Sequence, residues 1–325
     1  STTPAVALPE IPLPTVAQGL VRPECVLATR AGHLYTADFR GGVAHIHPDG
    51  SIALYTGSKP DGTELKPNGI ALRRDGSFLI ADLGAETGGV FNLHRDGRVE
   101  TILDRLDGKA LPPTNFVTED RDDRIWVTVS TRLVPRALGY RKTCDDGFVL
   151  LIDRRGARIV ADGLGFTNEC AIDPQHRWLY VNETFGRRLS RFELRPDGLG
   201  RRETVTEFGA GTFPDGLAFD SEGALWVTSI VSNRVIRVMP ETGEQRIVLE
   251  DSDPEHLSWV EQAYQAGELG RPHLDTARSR QLRNISSLAF GGPDLRTAYL
   301  GCLLGDSIAT FRTGIAGAPP VHWEW

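Results

Sequence analysis

The stretch Asp215-Gly-Leu-Ala-Phe, followed by Glu222-Gly223 and then Leu225-Trp-Val-Thr-Ser, decides the fold because the chain repeats it. A polar residue opens a short hydrophobic run, a turn signal lies seven positions later, and a second β-rich run follows the turn. The same order starts at Glu24-Cys-Val, Asn68-Gly-Ile-Ala-Leu, Asn115-Phe-Val-Thr, Asn168-Glu-Cys-Ala-Ile and Ser286-Ser-Leu-Ala-Phe, which makes six copies. The turns fall at Ala31-Gly32, Asp75-Gly76, Asp122-Asp123, Gln175, Glu222-Gly223 and Pro293-Asp294, and the second runs at 34–38, 78–82, 125–129, 179–183, 225–229 and 298–302. Short strands repeated at this period are the signature of a propeller.

Two further strands complete a copy where the pattern is clearest. In the second copy, 88–94 leads through Asp96-Gly97 into 98–103, and in the fifth, 234–239 leads through Thr242-Gly243 into 245–249. Glycine-bearing turns between β-branched runs mark hairpins. Four antiparallel strands per copy compose a propeller blade. The intervals between the six polar residues are 44, 47, 53, 47 and 71 positions, the last lengthened by an insertion at 251–284. Only 39 residues follow Ser286, too few for a comfortable blade and tail. Residues 15–24 mirror 159–168, an outer strand running into the next blade, so the N-terminal strand is expected to complete the last blade and close the ring. The expectation is an all-β, six-bladed propeller: an N-terminal extension at 1–12, then one domain over 13–325. Within the insertion, 254–267 reads as a helix with Leu257, Val260 and Tyr264 on one face and Gly267 as its stop.

Bulk properties exclude several functions. Apolar residues make up 40% of the 325, enough for a large core, and the net charge of −7 offers no basic footprint for nucleic acid or an anionic membrane. No apolar run approaches the roughly 20 residues that span a bilayer, and no signal peptide is read at the N-terminus. The four cysteines have no CxxC spacing, and free thiols suit a cytoplasmic protein. There is no GxSxG elbow, P-loop or dinucleotide fingerprint. His33, His45 and His47 show no metal spacing and receive no role.

Polar residues that start six innermost strands ring one mouth of the central channel. Each second strand returns to that face, bringing Asp38, Asp82, Asn182, Glu183 and Ser229 there, and the long 130–147 loop and the 251–284 insertion overhang it. The ring of Glu24, Asn68, Asn115, Asn168, Asp215 and Ser286 offers only oxygen donors. Facing carboxylates repel unless protonated or neutralised by a cation. Carboxylates with amide carbonyls form a hard-cation set, for which calcium fits best and magnesium, manganese or zinc are alternatives. Any one of these residues alone is better explained by turn preference than by a metal; their shared repeat position is what favours a common site. Ser286 reads as structural, and Asn68 as either a turn residue or a support. Arg132, Arg136, Arg141 and Lys142 could take an anionic group or only solubilise their loop. Trp259 and Tyr264 could cap the mouth or pack the insertion.

The tags Arg22-Pro-Glu24, Phe166-Thr-Asn-Glu169, Phe213-Pro-Asp-Gly216 and 287–300 resemble the gluconolactonase/regucalcin (senescence marker protein) family of six-bladed propellers over nearly the whole chain. The resemblance implies that Glu24, Asn168 and Asp215 hold a divalent metal, that Asn115 is a further ligand or substrate contact, and that Asp215 is the usual choice of general base; the alternative is that Asp215 is only a ligand and metal-bound hydroxide attacks directly. It implies hydrolysis of a lactone or ester by water that the cation activates. Candidate substrate contacts are Asn115, Asn68, Arg132, Glu183 and Trp259. Sugar-lactonase members commonly carry an arginine two positions before the Asn115 equivalent, where this chain has Pro113, so a differently shaped pocket is expected. Aryl-ester or organophosphate hydrolysis, or calcium binding without turnover, are the alternative readings.

Overall fold

The computed structural model describes residues 8–325; of the expected N-terminal extension, residues 1–7 lie outside the described residues. Six antiparallel sheets form the blades. Their innermost strands are Val26–Ala28, Pro67–Leu72, Phe116–Glu119, Thr167–Ile172, Thr212–Phe219 and Ile285–Gly291. Each innermost strand lies beside that of the next blade, and the sixth lies beside the first, so the ring is closed. The closure is the expected one: Thr15–Val16 is the outer strand of blade 6, with Thr15 opposite Ala309 and Val16 opposite Ile308.

The second strands run Leu34–Asp38, Phe78–Asp82, Ile125–Val129, Trp178–Glu183, Leu225–Val231 and Thr297–Cys302, within two residues of the sequence reading. Most are buried on both faces because neighbouring blades stack on them, whereas the outer strand Ile52–Thr56 alternates between exposed and half-buried. The core therefore lies between blades. Trp126 and Trp226 show how it is anchored: each indole is buried, and its N–H donates to an aspartate at the foot of the innermost strand, Asp120 (3.0 Å) and Asp220 (2.9 Å). A buried indole N–H needs such a partner.

Both insertions join one apolar cluster. The helix Pro254–Gln265 starts at Asp253, whose carboxylate accepts the His256 N–H at 2.9 Å. Val260, Ala263 and Tyr264 pack with Tyr140 from the 130–147 loop, with Phe166 before the innermost strand of blade 4, with Phe185 after its second strand, and with Phe213 near the start of the innermost strand of blade 5. Trp259 does not cap the mouth: it is exposed on the helix and lies against His273, ring centres 4.4 Å apart. At the other end of the channel the C-terminal segment closes a cavity of about 370 Å³, lined by Ile70, Leu217 and Pro319. Among the described residues no helix is long and apolar enough to cross a membrane.

Candidate metal centre

Four of the six innermost strands are bulged where their polar residues sit. Thr167 faces Glu183 and Cys170 faces Val181, so one residue is extra on the inner strand; the same shift occurs between Pro67 and Ile70, between Pro214 and Leu217, and between Ile285 and Ser287. A bulge breaks strict alternation and re-aims side chains. In blade 4 it gathers Glu169 as well as Asn168. Carboxylate oxygens of Glu24, Glu169 and Asp215, all buried, lie within 4.8 Å of one another. Oxygens about 2.4 Å from a shared calcium ion would be spread no wider than this.

The polar groups around these acids are paired in a way that leaves specific oxygens free. Asn168 donates its amide N–H to the Thr184 hydroxyl at 3.0 Å, and that hydroxyl donates in turn to the Pro214 carbonyl at 2.7 Å. The relay fixes the amide orientation and leaves Asn168 Oδ1 buried without a partner. Glu24 Oε2, Glu169 Oε2 and Asp215 Oδ1 are likewise buried and unpartnered. Orphaned buried oxygens are expensive; three clustered carboxylates with a fourth unpartnered oxygen on the residue next to Glu169, all hard donors, fit a divalent cation.

Without a cation the acids resist ionisation. Burial raises Glu24 to about 7, against the pull of Arg22 and Arg136. Burial, then the charge of Glu24, pushes Asp215 well above the usual carboxylate range, and burial with Glu24 and Asp215 does the same to Glu169.

The remaining sequence candidates fall into two groups. Asn115 is buried beside the acids, its amide donating to Ser130 Oγ at 2.9 Å, while Asn68 donates to the Asn115 carbonyl at 2.8 Å and side-chain oxygen at 3.2 Å. Asn68 therefore holds Asn115 and accepts from Arg22 at 2.7 Å. Ser286 donates to the Glu24 carbonyl at 2.8 Å, a structural role as read. Three candidates are engaged elsewhere. Glu183 is fully buried but pairs with Arg188 at 2.7 Å and accepts the Gly165 N–H at 2.7 Å, fixing the lead-in to its own blade. Arg132 is exposed and forks onto Asp162. Trp259 is turned outward, as described.

Sequence reasoning passed over Glu169, whose signal was a carboxylate where the other copies have Cys25, Gly69, Phe116, Gly216 or Ser287. It also gave no role to Arg22, and none to a histidine group that the fold gathers in blade 1: His33 Nδ1 lies 2.8 Å from His45 Nε2, and His45 Nδ1 lies 2.9 Å from the Tyr55 hydroxyl. Their separation along the chain hid this, because adjacent strands bring them together.

A six-bladed propeller with an acidic oxygen cluster at one mouth of its channel defines the class. The description "SMP-30/Gluconolactonase/LRE-like region" matches residues 22–251, and the chain belongs to that family. It is 30% identical over 293 residues to the 6-deoxy-6-sulfogluconolactonase of Pseudomonas putida, covering 88% of this chain and 84% of that one. In fold it is similar to a gluconolactonase from Xanthomonas campestris (TM-score 0.66, 18% identity, 94% and 89% of the two chains). It is also similar in fold to regucalcin, a calcium-binding protein from Agrobacterium tumefaciens (TM-score 0.61, 14% identity, 94% and 95%). The lactonase relatives support lactone hydrolysis as the activity.

Proposed function

We propose that this protein is a divalent-cation-dependent lactonase in which Glu24, Asn168 and Asp215 hold the cation. The observation that carries the reading is the convergence of carboxylate oxygens of Glu24, Glu169 and Asp215, each residue holding a buried unpartnered oxygen, with Asn168, whose Oδ1 is also unpartnered, adjoining Glu169 in the same bulge. The all-oxygen set favours calcium. When bound, such an ion polarises an ester carbonyl and lowers the pKa of a coordinated water.

The chain's own residues do the rest. Thr184 aims Asn168 Oδ1, and the Asn182 amide donates to the carbonyls of Asp215 and Gly216, both at 3.0 Å, fixing the backbone that carries Asp215. Asn115, locked by Ser130 and Asn68, orients the substrate or the attacking water. Asp215 takes the proton from that water through its carboxylate. The buried setting excludes bulk water and strengthens each of these interactions.

Replacing Asp215 by Asn keeps an oxygen ligand and removes the base. The expected result is calcium affinity about tenfold to a hundredfold below wild type, from the lost ligand charge, and, at saturating calcium, kcat lower by about 10²–10⁴ on a panel of lactones. Titration calorimetry and pH-stat rates, with and without chelator, check this. Hydrolysis at the wild-type rate by Asp215→Asn would remove the base role, and absence of chelator-sensitive turnover on any lactone or ester would remove the lactonase reading.

A further inference from the structure

Two guanidinium groups stand beside the carboxylates with no carboxylate partner of their own. Arg22 accompanies Glu24 on the lead-in to blade 1; it donates to Asn68 Oδ1 at 2.7 Å and lies 4.7 Å from the centre of the Phe39 ring. Arg136 descends from the 130–147 loop, 5.1 Å from the Phe166 ring centre, with a long 3.4 Å contact to Ser130 Oγ and a buried Nε that has no partner. Among the described residues neither forms an ion pair, whereas Arg132, Arg187 and Arg188 are each paired, with Asp162, Glu261 and Glu183. One chain of polar contacts joins the two: Arg22 donates to Asn68, Asn68 donates to the Asn115 side-chain oxygen at 3.2 Å, and both Asn115 and Arg136 donate to Ser130 Oγ, while Arg22 stands two residues before Glu24.

Buried charge without a close partner is costly. A bound dication holds all three carboxylates ionised, and with the two guanidiniums the loaded site then carries one positive charge in excess. The site then lacks an anion, and it lacks it where two planar donor forks, already held by aromatic faces, have N–H groups to spare. Such forks suit the oxygens of a carboxylate, sulfonate or phosphate. Arg22, though not Arg136 or the acids, also borders a cavity of about 690 Å³ between blade 6 and the start of blade 1, lined by Leu282, Arg283, Cys302 and Leu303.

We infer that the substrate is a lactone bearing an anionic substituent, and that Arg22 and Arg136 together bind that substituent. This rests on the lactonase reading for the ring and on the arginines alone for the charge. The test compares a neutral aldonolactone with the same ring carrying a terminal carboxylate or sulfonate, on calcium-loaded enzyme. The wild type should prefer the anionic rings in kcat/KM. Arg136→Gln and Arg22→Gln should each reduce that preference about tenfold to a hundredfold, mainly through KM. Arg136→Lys should restore part of it, and Arg132→Gln, whose charge is paired elsewhere, should leave it intact. Equal kcat/KM for neutral and anionic rings, or a preference that survives both glutamine variants, overturns the inference. A binding arm separates its failure from that of the lactonase reading. Calorimetry with the ring-opened sugar diacid should show weaker binding to Arg136→Gln than to wild type while calcium affinity stays the same, whether or not any lactone turns over. Equal diacid affinity overturns the inference by itself.

Discussion

Glu169 bears on how much charge the centre presents to a cation. One of its oxygens accepts the Leu217 N–H at 3.3 Å, and the other is buried without a partner among those of Glu24 and Asp215. Glu169→Gln keeps the shape and the hydrogen bond but removes a charge. Calcium affinity is expected to fall about tenfold to a hundredfold, since ligand charge tunes such sites over wider ranges; titration of chelator-treated protein checks it, and unchanged affinity would make Glu169 only part of the channel lining. The positions of Glu24, Asn168 and Asp215 were legible in the sequence because each occupies the same place in a repeat. Glu169 was not, because strict strand alternation turns adjacent side chains to opposite faces, and only the bulge between Thr167 and Cys170 departs from it. Arg136 was one of four cations on a long loop, and nothing along the chain tells which of them turns inward.

At the scale of elements, the second strands were readable almost to the residue, because turn signals bound them and burial between blades demands near-continuous apolar runs. The bulged inner strands were readable only as tags. Their spacing depends on close backbone approach around the channel: a Cβ at Gly216 would stand 2.6 Å from the Ser286 carbonyl oxygen and 2.8 Å from Ser287 Cα. Backbone cannot yield there as a flexible side chain could. Gly216→Ala is expected to cost about 1–3 kcal/mol in urea unfolding and, because Asp215 is its neighbour, to weaken calcium binding as well. Wild-type stability together with wild-type calcium affinity would show that blades 5 and 6 can move apart. The helical insertion behaved as its periodicity required for Val260 and Tyr264, which pack on the blade loops, while Trp259 faces solvent.

Across the whole molecule, folding buries two imidazoles in their neutral form. Burial, then the charges of His47, Arg95 and His33, lowers His45 from 6.5 to about 4, and burial lowers His322 in the C-terminal segment to about 4. With the folded pKa below the unfolded one, the unfolded chain takes up protons first as the solution is acidified. The histidine contribution to stability is therefore full above about pH 6.5 and is lost as pH falls towards 4, whereas the raised carboxylates of Glu24, Glu169 and Asp215 act in the opposite sense until a cation holds them ionised. Urea titrations at pH 7 and pH 5 should show the loss, and His45→Gln should reduce it; an unchanged pH dependence in that variant would assign the effect to His322 and other groups.

The sequence by itself determined the blade count, the second strands, the closing N-terminal strand and the ring of oxygen donors, because each follows from local periodicity repeated six times. The tertiary structure decided what the ring becomes. It brought Glu169 to the axis through a bulge, freed Asn168 Oδ1 through Thr184, turned Arg132 and Glu183 away into ion pairs, and set Arg22 and Arg136 beside the acids. These outcomes depend on a bulge and on which side chains find partners once the strands of a blade are packed, as in Asn168 with Thr184 and Glu183 with Arg188, and such pairing leaves no periodic pattern to read.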